Sequence, residues 1–539
     1  MAQPATIDIV SKPRFLEGEA RYFQGVAGNL AIRFEDLLEQ HTVSCWGVFS
    51  VLYFCWMLLI SNLKQLWFDE LVTYAVDHVP TWGDAWRALQ TGADANPPLF
   101  HLVNRAFLAV FGDTPFVQRG SSIFGFWAAS LGLYAIVRRN HSAAAAWVAA
   151  LVPSCSGAAY YATEARPYGM VLGFIALALI CWLKVVDDTG ARNWWLAGLS
   201  LSLSCAISSH YYSVFTVGPF IGAELTRALR RKRVDWVVVG AVMASYWPLV
   251  ILYSSGLMGA ANQYVGSTDN ASLLSPVYFW QFVLGPVPLS ILAAIGVALG
   301  WNCFLRKRVV FTVVPSNALL IGAWLCVLPV FVMLGGRYVT HAYEHRYAIT
   351  AVIGAAMLIG AGFDLLRSAI PGAAGLAILA LILPVSIDAV AGRSRVRGRH
   401  IDYGWSQQTL AEPTLPIIYS GPLESVQAWF NAPSPELKRR ITCLVDVKEA
   451  SQRMGSGAGD LGVINLKPAL GLPAQGYREF TQQRKAFYLI HQPAMTTWVT
   501  KKLVEDGAEL KLKGLFGPDE LYLVTWRPGE TGPSHQLRQ

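Results

Sequence analysis

Two adjacent carboxylates, Asp69 and Glu70, follow the first long apolar segment of the chain. The preceding Trp67-Phe68 pair is typical of a membrane interface, where aromatic side chains collect. Because adjacent side chains project in different directions on a helix or a strand, one carboxylate can face a cavity while the other holds the segment. The pair predicts a general base with an orienting group beside it, against the plainer interpretation of solvated loop acids.

Further polar groups lie where other apolar segments begin or end. Asn96 precedes Pro97-Pro98, a helix start at which proline's missing N–H costs nothing. The sequence Glu164-Ala165-Arg166-Pro167-Tyr168 also precedes a helix. Arg166 could pair with Glu164 or neutralise a phosphate through its planar guanidinium group, and its position alone leaves both roles open.

Two turns are rich in histidine, arginine and tyrosine. His210-Tyr211-Tyr212 forms a tight turn, although a histidine such as His210 is often a satisfied interfacial residue. Residues 337–347 include Arg337, His345 and Arg346 and predict an anion site suited to a lipid-linked phosphate. His341 lies four positions before His345, so a divalent metal held with Glu344 or Asp69 is an alternative, but no third ligand is fixed by the spacing. Some of the tyrosines are also expected in an interfacial aromatic belt.

The elements that position these residues are predicted to span a membrane. The chain has 539 residues, of which 54% are hydrophobic and 14% charged, well below the charge of a soluble domain. This composition excludes a soluble enzyme. A net charge of +8 spread over a chain rich in aromatic residues does not fit disorder or a basic nucleic-acid-binding domain. The eight cysteines form no CxxC motif for zinc or redox chemistry.

Apolar runs long enough to cross a bilayer recur between positions 43 and 390. We predict a mostly α-helical, polytopic transmembrane bundle of about 11 spans. These are expected at about 43–62, 118–137, 142–161, 167–186, 194–209, 213–229, 234–254, 276–301, 309–334, 347–366 and 370–390. An amphipathic interfacial helix is expected at 97–112.

Loop charge predicts the orientation, because cytoplasmic connections collect lysine and arginine. With a cytoplasmic tail at 1–42, the basic loops fall on one side of the membrane and the polar, aromatic-rich loops on the other. The first outer loop, about 63–117, is expected to be catalytic. The sequence therefore predicts a multi-pass protein of the inner (plasma) membrane with its active site on the extracytoplasmic side.

Residues 391–539 have the composition of a soluble domain, expected to be a small α/β fold on the same extracytoplasmic face. Strands are predicted at 415–420, 441–445, 486–490 and 521–526, and helices at 422–430 and 496–505. The run Gly455-Ser456-Gly457-Ala458-Gly459 is similar to a phosphate loop, but no clear strand precedes it and no helix pattern follows. We therefore predict a flexible linker there.

The order of these motifs resembles that of the GT-C glycosyltransferases that use polyprenyl-phosphate sugars. This group includes bacterial relatives of the protein O-mannosyltransferases (glycosyltransferase family 39) and the aminoarabinose transferases. The resemblance covers about 46–390, with Glu164-Ala165-Arg166-Pro167-Tyr168 its most specific part and Asn96-Pro97-Pro98-Leu99 similar to the family's proline-rich element. The domain 391–539 is not covered.

The resemblance implies an inverting, single-displacement hexosyl or pentosyl transfer, with a lipid phosphate as the leaving group and a glycan, lipid or protein as acceptor. Asp69 would then be the base, with Glu70 supporting the loop or the acceptor. Arg166, His210, Arg346 and His345 would hold the phosphate, with Asn96, Glu164, Tyr168, Tyr211 and Arg337 completing the substrate site. Membrane lipids are the other expected partners, and nucleic acid is not one.

A transporter or flippase of lipid-linked sugars is the alternative from another class. It would use the same basic and aromatic cavity. It does not need an acidic pair beside the first span, and the sequence shows none of the internal repeats that transporters commonly carry.

Overall fold

The computed structural model describes residues 29–187, 190–264, 271–286, 289–290, 292–297, 301, 316–367, 372–390, 401–409, 412–493 and 497–526. Four predicted features lie outside these residues: the tail 1–28, the basic loop at 306–308, the start of the span at 309 and the domain boundary at 391.

Most of the described residues before position 391 lie in helices. The α-helices are 29–40, Thr42–Leu63, Phe68–Asp77, Trp82–Gln90, Pro98–Phe111, Pro115–Gln118, Gly120–Arg138, Ala143–Leu151, Ala159–Ala162, Tyr168–Val186, Arg192–Ser209, Val217–Arg231, Trp236–Ala244, Trp247–Ser254, Leu257–Asn262, Ser275–Leu284, Asn317–Gly335, Ala351–Arg367 and Ala373–Val390. Short 3₁₀ or π turns lie at Pro153–Cys155, Tyr211–Thr216, Gly336–Thr340 and His345–Ala348.

Among the described residues, five helices are long and apolar enough to cross a membrane. They are Thr42–Leu63, Gly120–Arg138, Tyr168–Val186, Trp236–Ser254 and Asn317–Thr340. The chain is therefore an integral membrane protein. Some of the other predicted spans coincide with shorter or interrupted helices, such as Ala143–Leu151, after which Pro153 begins a 3₁₀ turn. The number of spans stays a prediction.

Two spans that lead to the candidate site pack in direct backbone contact. A Cβ atom on Gly169 would lie 2.1 Å from the carbonyl oxygen of Ser122, and one on Gly125 would lie 2.4 Å from Cα of Met170. The Ser122 hydroxyl accepts a hydrogen bond from the Gly169 amide at 3.1 Å and donates one to the Tyr161 carbonyl at 3.0 Å. Glycine at both positions therefore lets the turn at 164–168 lie close to the start of the Gly120–Arg138 helix.

The first outer segment folds as three helices over the ends of the spans: Phe68–Asp77, Trp82–Gln90 and Pro98–Phe111. Pro98 opens the third helix, as the sequence predicts. This helix buries the polar residues His101 and Asn104 and exposes apolar ones such as Leu102 and Val110. Its buried polar face points towards the Phe68–Asp77 helix, which carries both members of the acidic pair.

The C-terminal part contains a six-stranded sheet in the order β3-β2-β1-β4-β6-β5. Its strands are β1 Ile417–Tyr419, β2 Ile441–Val445, β3 Ala474–Gly476, β4 Ala486–His491, β5 Ala508–Phe516 and β6 Asp519–Trp526. The first four strands are parallel to one another. β6 pairs with β4 in the antiparallel direction, and β5 pairs antiparallel with β6 at the edge of the sheet. Its helices are Ser406–Thr409, Pro422–Phe430, Pro435–Arg440, Val447–Met454, Ala458–Leu470, Tyr477–Gln483 and Trp498–Glu505.

The predicted α/β fold, with its four strands and two helices, is present in this C-terminal part. The prediction of a flexible linker at 455–459 is wrong. Gly455, with φ of 74°, ends one helix and Ala458 begins the next. The helix Ala458–Leu470 was missed because it contains Gly459, Gly462 and Pro468, which are poor helix formers in isolation. Tertiary packing stabilises it nonetheless.

This helix packs on the outer segment of the membrane part. Val463 and Leu466 join one apolar cluster with Leu71 and Val72 of the Phe68–Asp77 helix. A Cβ on Gly462 would lie 3.3 Å from the ring of Phe68. The C-terminal domain is thus in contact with the helix that carries the acidic pair.

Candidate active site

Asp69 and Glu70 point to different surroundings from the first turn of the Phe68–Asp77 helix. The Asp69 carboxylate is one-fifth exposed, and its Oδ2 lies 3.4 Å from Nη2 of Arg346. Its backbone carbonyl accepts a hydrogen bond from Nη1 of Arg166 at 3.1 Å. Two arginines that are distant in sequence therefore lie beside one partly open carboxylate.

Glu70 is fully buried in an ion pair with Arg119. Nε and Nη2 of Arg119 donate to the two carboxylate oxygens at 2.7 and 3.1 Å, and the Ala165 amide donates to Oε1 at 2.9 Å. Arg119 also donates to the Ser61 carbonyl at 2.7 Å. The pair thus links the end of the first span, the acidic helix and the turn at 164–168.

The ionised state of Glu70 follows from these partners. Burial by itself would raise its pKa, but the positive charges of Arg119 and Lys64 outweigh burial and hold the pKa of Glu70 below its ordinary value. A carboxylate that is charged, buried and saturated with donors is not available as a proton acceptor. Glu70 therefore holds the helix in place, and Asp69 is the member of the pair that a substrate can reach.

Arg166 connects the acidic helix to the 92–96 turn. Its Nη1 lies 3.0 Å from Oδ2 of Asp94 and 3.3 Å from the hydroxyl of Thr73, besides its bond to the Asp69 carbonyl. Burial opposes its charge, but the carboxylates of Asp94 and Asp69 outweigh burial and raise the pKa of Arg166. Arg166 stays protonated in this site.

Asp94 is the acid that sequence reasoning missed. Its Oδ1 accepts hydrogen bonds from the backbone amide and the side-chain amide of Asn96, at 3.1 and 2.9 Å. Its Oδ2 lies 3.3 Å from Nε2 of His101, whose Nδ1 lies 2.8 Å from Asp77. These contacts form a buried network that runs from Asp77 to His101, then to Asp94 and then to Arg166.

Acidic and basic residues alternate along this network. Burial opposes protonation of His101, but Asp77 and Asp94 outweigh it and raise the pKa of His101 to about 9. Burial alone would raise the pKa of Asp94, whereas Arg166 and His101 lower it below its ordinary value. At neutral pH His101, Asp94 and Arg166 are therefore charged, and the network holds Arg166 in a defined place.

The two arginines retain hydrogen-bonding capacity. Within the residues described, Nε of Arg166 and Nε of Arg346 are buried and have no hydrogen-bond partner. Burial opposes the charge of Arg346, but nearby Tyr168 and Asp69 outweigh it and raise the pKa of Arg346. Two charged guanidinium groups with unused N–H donors beside one carboxylate are suited to a bound anion such as a phosphate.

An aromatic wall surrounds these arginines. The ring of His210 lies 5.3 Å from that of Tyr168 and 5.4 Å from that of Tyr347, and Tyr347 stacks on Tyr212 at 4.1 Å. Burial, followed by the charges of Arg166 and Arg346, lowers the pKa of His210 to about 3. His210 is therefore neutral and offers a hydrogen bond without a positive charge.

The remaining predicted site residues lie around this centre. Glu164 is buried with its Oε1 3.8 Å from Nζ of Lys64, and Tyr211 packs with an apolar cluster that contains Leu252. His345, beside Arg346 in the chain, faces the ring of Phe282 at 6.4 Å.

Arg337 is exposed and donates to the carbonyl of Ala271 at 3.3 Å. It therefore lies apart from the contacts that join Asp69, Arg166 and Arg346. No group of three potential metal ligands occurs among the residues that the structure describes.

Weak signals for the missed residues were present in the sequence. Arg119 is a single cation directly before an apolar helix, where an unpaired charge is costly. Asp94 lies two positions before Asn96, and His101 lies three positions into the following helix, on its buried face. Nothing in one sequence indicates that Arg119 pairs with Glu70 or that Asp94 pairs with Arg166.

Comparisons with known proteins give one family model and several solved structures that are similar to this chain. The family model described as dolichyl-phosphate-mannose-protein mannosyltransferase matches residues 95–253. The crystal structure of ArnT from Cupriavidus metallidurans in the apo state matches at a TM-score of 0.55 and 13% identity, over 92% of this chain and 99% of that one. The same protein bound to undecaprenyl phosphate matches at 0.51 and 13% identity, over 90% and 99%.

A search of curated protein sequences gave no match. The fold is that of ArnT, a GT-C fold. The resemblance to GT-C glycosyltransferases seen in the order of motifs is thereby confirmed.

Proposed function

We propose that this protein is an integral membrane glycosyltransferase that moves a sugar from a polyprenyl-phosphate donor to an extracytoplasmic glycan, lipid or protein. The observation that carries the proposal is the convergence of Asp69, Arg166 and Arg346, which supplies a base and two cations in one place. The GT-C fold and the matching family model support the use of a lipid-linked donor.

The proposed reaction is a single displacement with inversion at the anomeric carbon. The acceptor oxygen forms a bond to that carbon while the bond from the carbon to the phosphate oxygen breaks. Asp69 takes the acceptor's hydroxyl proton as the new bond forms. Polyprenyl phosphate leaves with the electron pair of the broken bond.

The charges of the site stabilise the departing phosphate more than they stabilise the bound, intact donor. The phosphate gains negative charge as it leaves, and preorganised cations stabilise such developing charge. Arg166 and Arg346 are held by Asp94 and Asp69 before substrate arrives. Their unpartnered Nε groups supply donors for the phosphate oxygens.

The other residues act through position or shape. Glu70 holds the helix that carries Asp69, and Asn96 orients the carboxylate of Asp94. Tyr168 and His210 form the aromatic wall beside the phosphate-binding arginines. We assign Glu164, Tyr211, Arg337 and His345 to the rim of the same substrate site. The neutral state of His210 limits its role to a hydrogen bond.

We further propose that the protein lies in the inner (plasma) membrane with the acidic helix and the C-terminal domain on the extracytoplasmic side. The loop charges predict that basic residues concentrate in the loops opposite the candidate site. The apolar cluster that Leu466 shares with the Phe68–Asp77 helix supports placing the C-terminal domain and the acidic helix on the same side of the membrane.

The test uses purified protein in lipid nanodiscs with a panel of polyprenyl-phosphate sugars and a membrane extract as acceptor source. Release of free polyprenyl phosphate is followed for the wild type and for Asp69→Asn. Loss of a general base lowers the rate by roughly 10²- to 10⁴-fold. Asp113→Asn is the matched control, because Asp113 is an exposed carboxylate of the same outer segment, paired with His78.

We expect release by the wild type and by Asp113→Asn, and little release by Asp69→Asn. Equal release by all three would keep the enzymatic function and remove Asp69 as the base. If no donor is consumed but the labelled lipid crosses the bilayer of proteoliposomes, the protein is a transporter and the proposed function is wrong.

A further inference from the structure

The helix Ala458–Leu470 of the C-terminal domain contacts both segments that carry the carboxylates of the candidate site. Gly462 faces the ring of Phe68, which directly precedes Asp69. One turn further along the same helix, Asn465 reaches the turn that contains Gly92. The C-terminal domain is therefore placed to act on the site through two separate contacts.

The second contact is a short chain of hydrogen bonds. Nδ2 of Asn465 donates to the hydroxyl oxygen of Tyr264 at 3.0 Å. The Tyr264 hydroxyl donates in turn to the carbonyl oxygen of Gly92 at 2.6 Å. Because the Asn465 donor occupies a lone pair of the tyrosine oxygen, the tyrosine proton is directed to Gly92.

The backbone at Gly92 is shaped to this contact. Gly92 has φ of 84°, a conformation that favours glycine. A Cβ at this position would lie 3.2 Å from Nδ2 of Asn465 and 3.4 Å from the carbonyl of Ala260. The Gly92 turn therefore packs closely between the C-terminal domain and the segment that contains Tyr264.

Asp94 lies two residues after Gly92. Its carboxylate holds Nη1 of Arg166 at 3.0 Å, and Arg166 reaches the Asp69 carbonyl. A shift of the Gly92 turn would move Asp94, and with it the guanidinium group assigned to the leaving phosphate. Misplacement by about 1 Å can slow an enzymatic reaction by roughly 10²-fold.

We propose that Asn465 is a positioning residue, through which the C-terminal domain sets the place of Asp94 and Arg166 by way of Tyr264 and Gly92. The inference rests on the proposed function, because the effect is expected on the transfer step. It gives the C-terminal domain a part in catalysis without placing any of its residues in contact with substrate.

The test compares Asn465→Asp with the wild type in the polyprenyl-phosphate release assay. Aspartate has nearly the same size as asparagine, but it accepts the Tyr264 proton and so draws it away from Gly92. We expect kcat to fall by roughly 10- to 100-fold with little change in KM for the donor. Thermal unfolding of the purified variant is measured in the same nanodiscs, to show that it is folded.

Tyr264→Phe supplies a second variant of the same chain of hydrogen bonds. It removes the hydroxyl but keeps the ring. Nδ2 of Asn465 also reaches the Gly92 carbonyl directly, at 3.5 Å, so we expect the double variant with Asn465→Asp to lose less activity than the two single losses combined. Additive losses would overturn the inference, because residues that act through one chain cannot act independently.

Tyr477→Phe is the control within the C-terminal domain. It removes one hydrogen bond, to Asp506 at 2.8 Å, in a different apolar cluster of the domain. We expect wild-type kcat for this variant. Full activity of Asn465→Asp, or a loss explained by its unfolded fraction alone, would overturn the role of Asn465 and leave the proposed function intact. A wild-type protein that releases no polyprenyl phosphate with any donor would overturn both.

Discussion

Replacing Glu70 with glutamine separates the structural member of the acidic pair from the reactive one. Glu70 and Arg119 have no solvent exposure, and Arg119 contacts both carboxylate oxygens. Glutamine keeps the size of the side chain but leaves the guanidinium group buried without a counter-charge. Removal of one partner of a buried pair costs about 3–5 kcal/mol.

Asp69→Asn is the matched change. The Asp69 carboxylate is one-fifth exposed and 3.4 Å from Arg346, so its removal should cost less stability than removal of the fully buried Glu70 carboxylate. We expect Glu70→Gln to lower the thermal unfolding temperature markedly, while the folded fraction keeps measurable turnover. Asp69→Asn should lose turnover with a smaller change in the unfolding temperature than Glu70→Gln.

The assay combines thermal unfolding in nanodiscs with polyprenyl-phosphate release at a temperature at which both variants are folded. The double variant Glu70→Gln with Arg119→Met removes both charges, and we expect it to be less destabilised than the sum of the single changes. If Glu70→Gln abolished release without changing the unfolding temperature, the assignment of roles within the pair would be refuted.

The remaining predictions concern phosphate binding, pH and packing. Arg346→Ala should lower kcat by at least about 100-fold, whereas Arg87→Ala, which removes an exposed arginine of the outer segment, should retain most activity. Equal donor-release rates for the two variants would contradict the role of Arg346. His101 has its pKa raised from 6.5 to about 9, so it contributes about 3 kcal/mol at pH values below 6.5, and this stability is lost as the pH rises through 9. The unfolding temperature of the wild type should therefore fall between pH 6.5 and pH 9, whereas that of His101→Asn should not. Parallel plots of unfolding temperature against pH for the two proteins would contradict this role of His101. Gly125→Leu should impair folding, because its Cβ would overlap Met170. Gly47→Leu is the control, because the structure shows open space around Gly47. Equal yields of folded protein from the two variants would contradict the packing argument.

Much of the fold could be predicted because its signals are local. Apolar runs of membrane length and the alternation of strand and helix patterns in the C-terminal part depend only on neighbouring residues. The helix Ala458–Leu470 could not be predicted in this way, since its glycines and Pro468 disfavour a helix. Contacts with the Phe68–Asp77 helix stabilise it, and no local pattern encodes them.

The sequence could indicate which residues of the candidate site are chemically important, but not which of them are in contact. The acidic pair, Arg166 and Arg346 could be singled out because charges beside apolar segments are costly and tend to be functional. Asp94 and His101 were missed as site residues, because their importance comes from contacts with residues distant in the chain.

The sequence alone determined that this chain is a membrane protein, that its motifs follow the order of the GT-C glycosyltransferases, and which residue types were available for chemistry. Only the tertiary structure decided that Glu70 is buried against Arg119 while Asp69 stays open beside Arg346. Adjacent residues have the same local sequence context, so the difference between them arises from what the fold packs on each side. The same holds for Arg166, whose partner Asp94 lies 72 residues away and is brought to it only by packing of the spans and the outer helices.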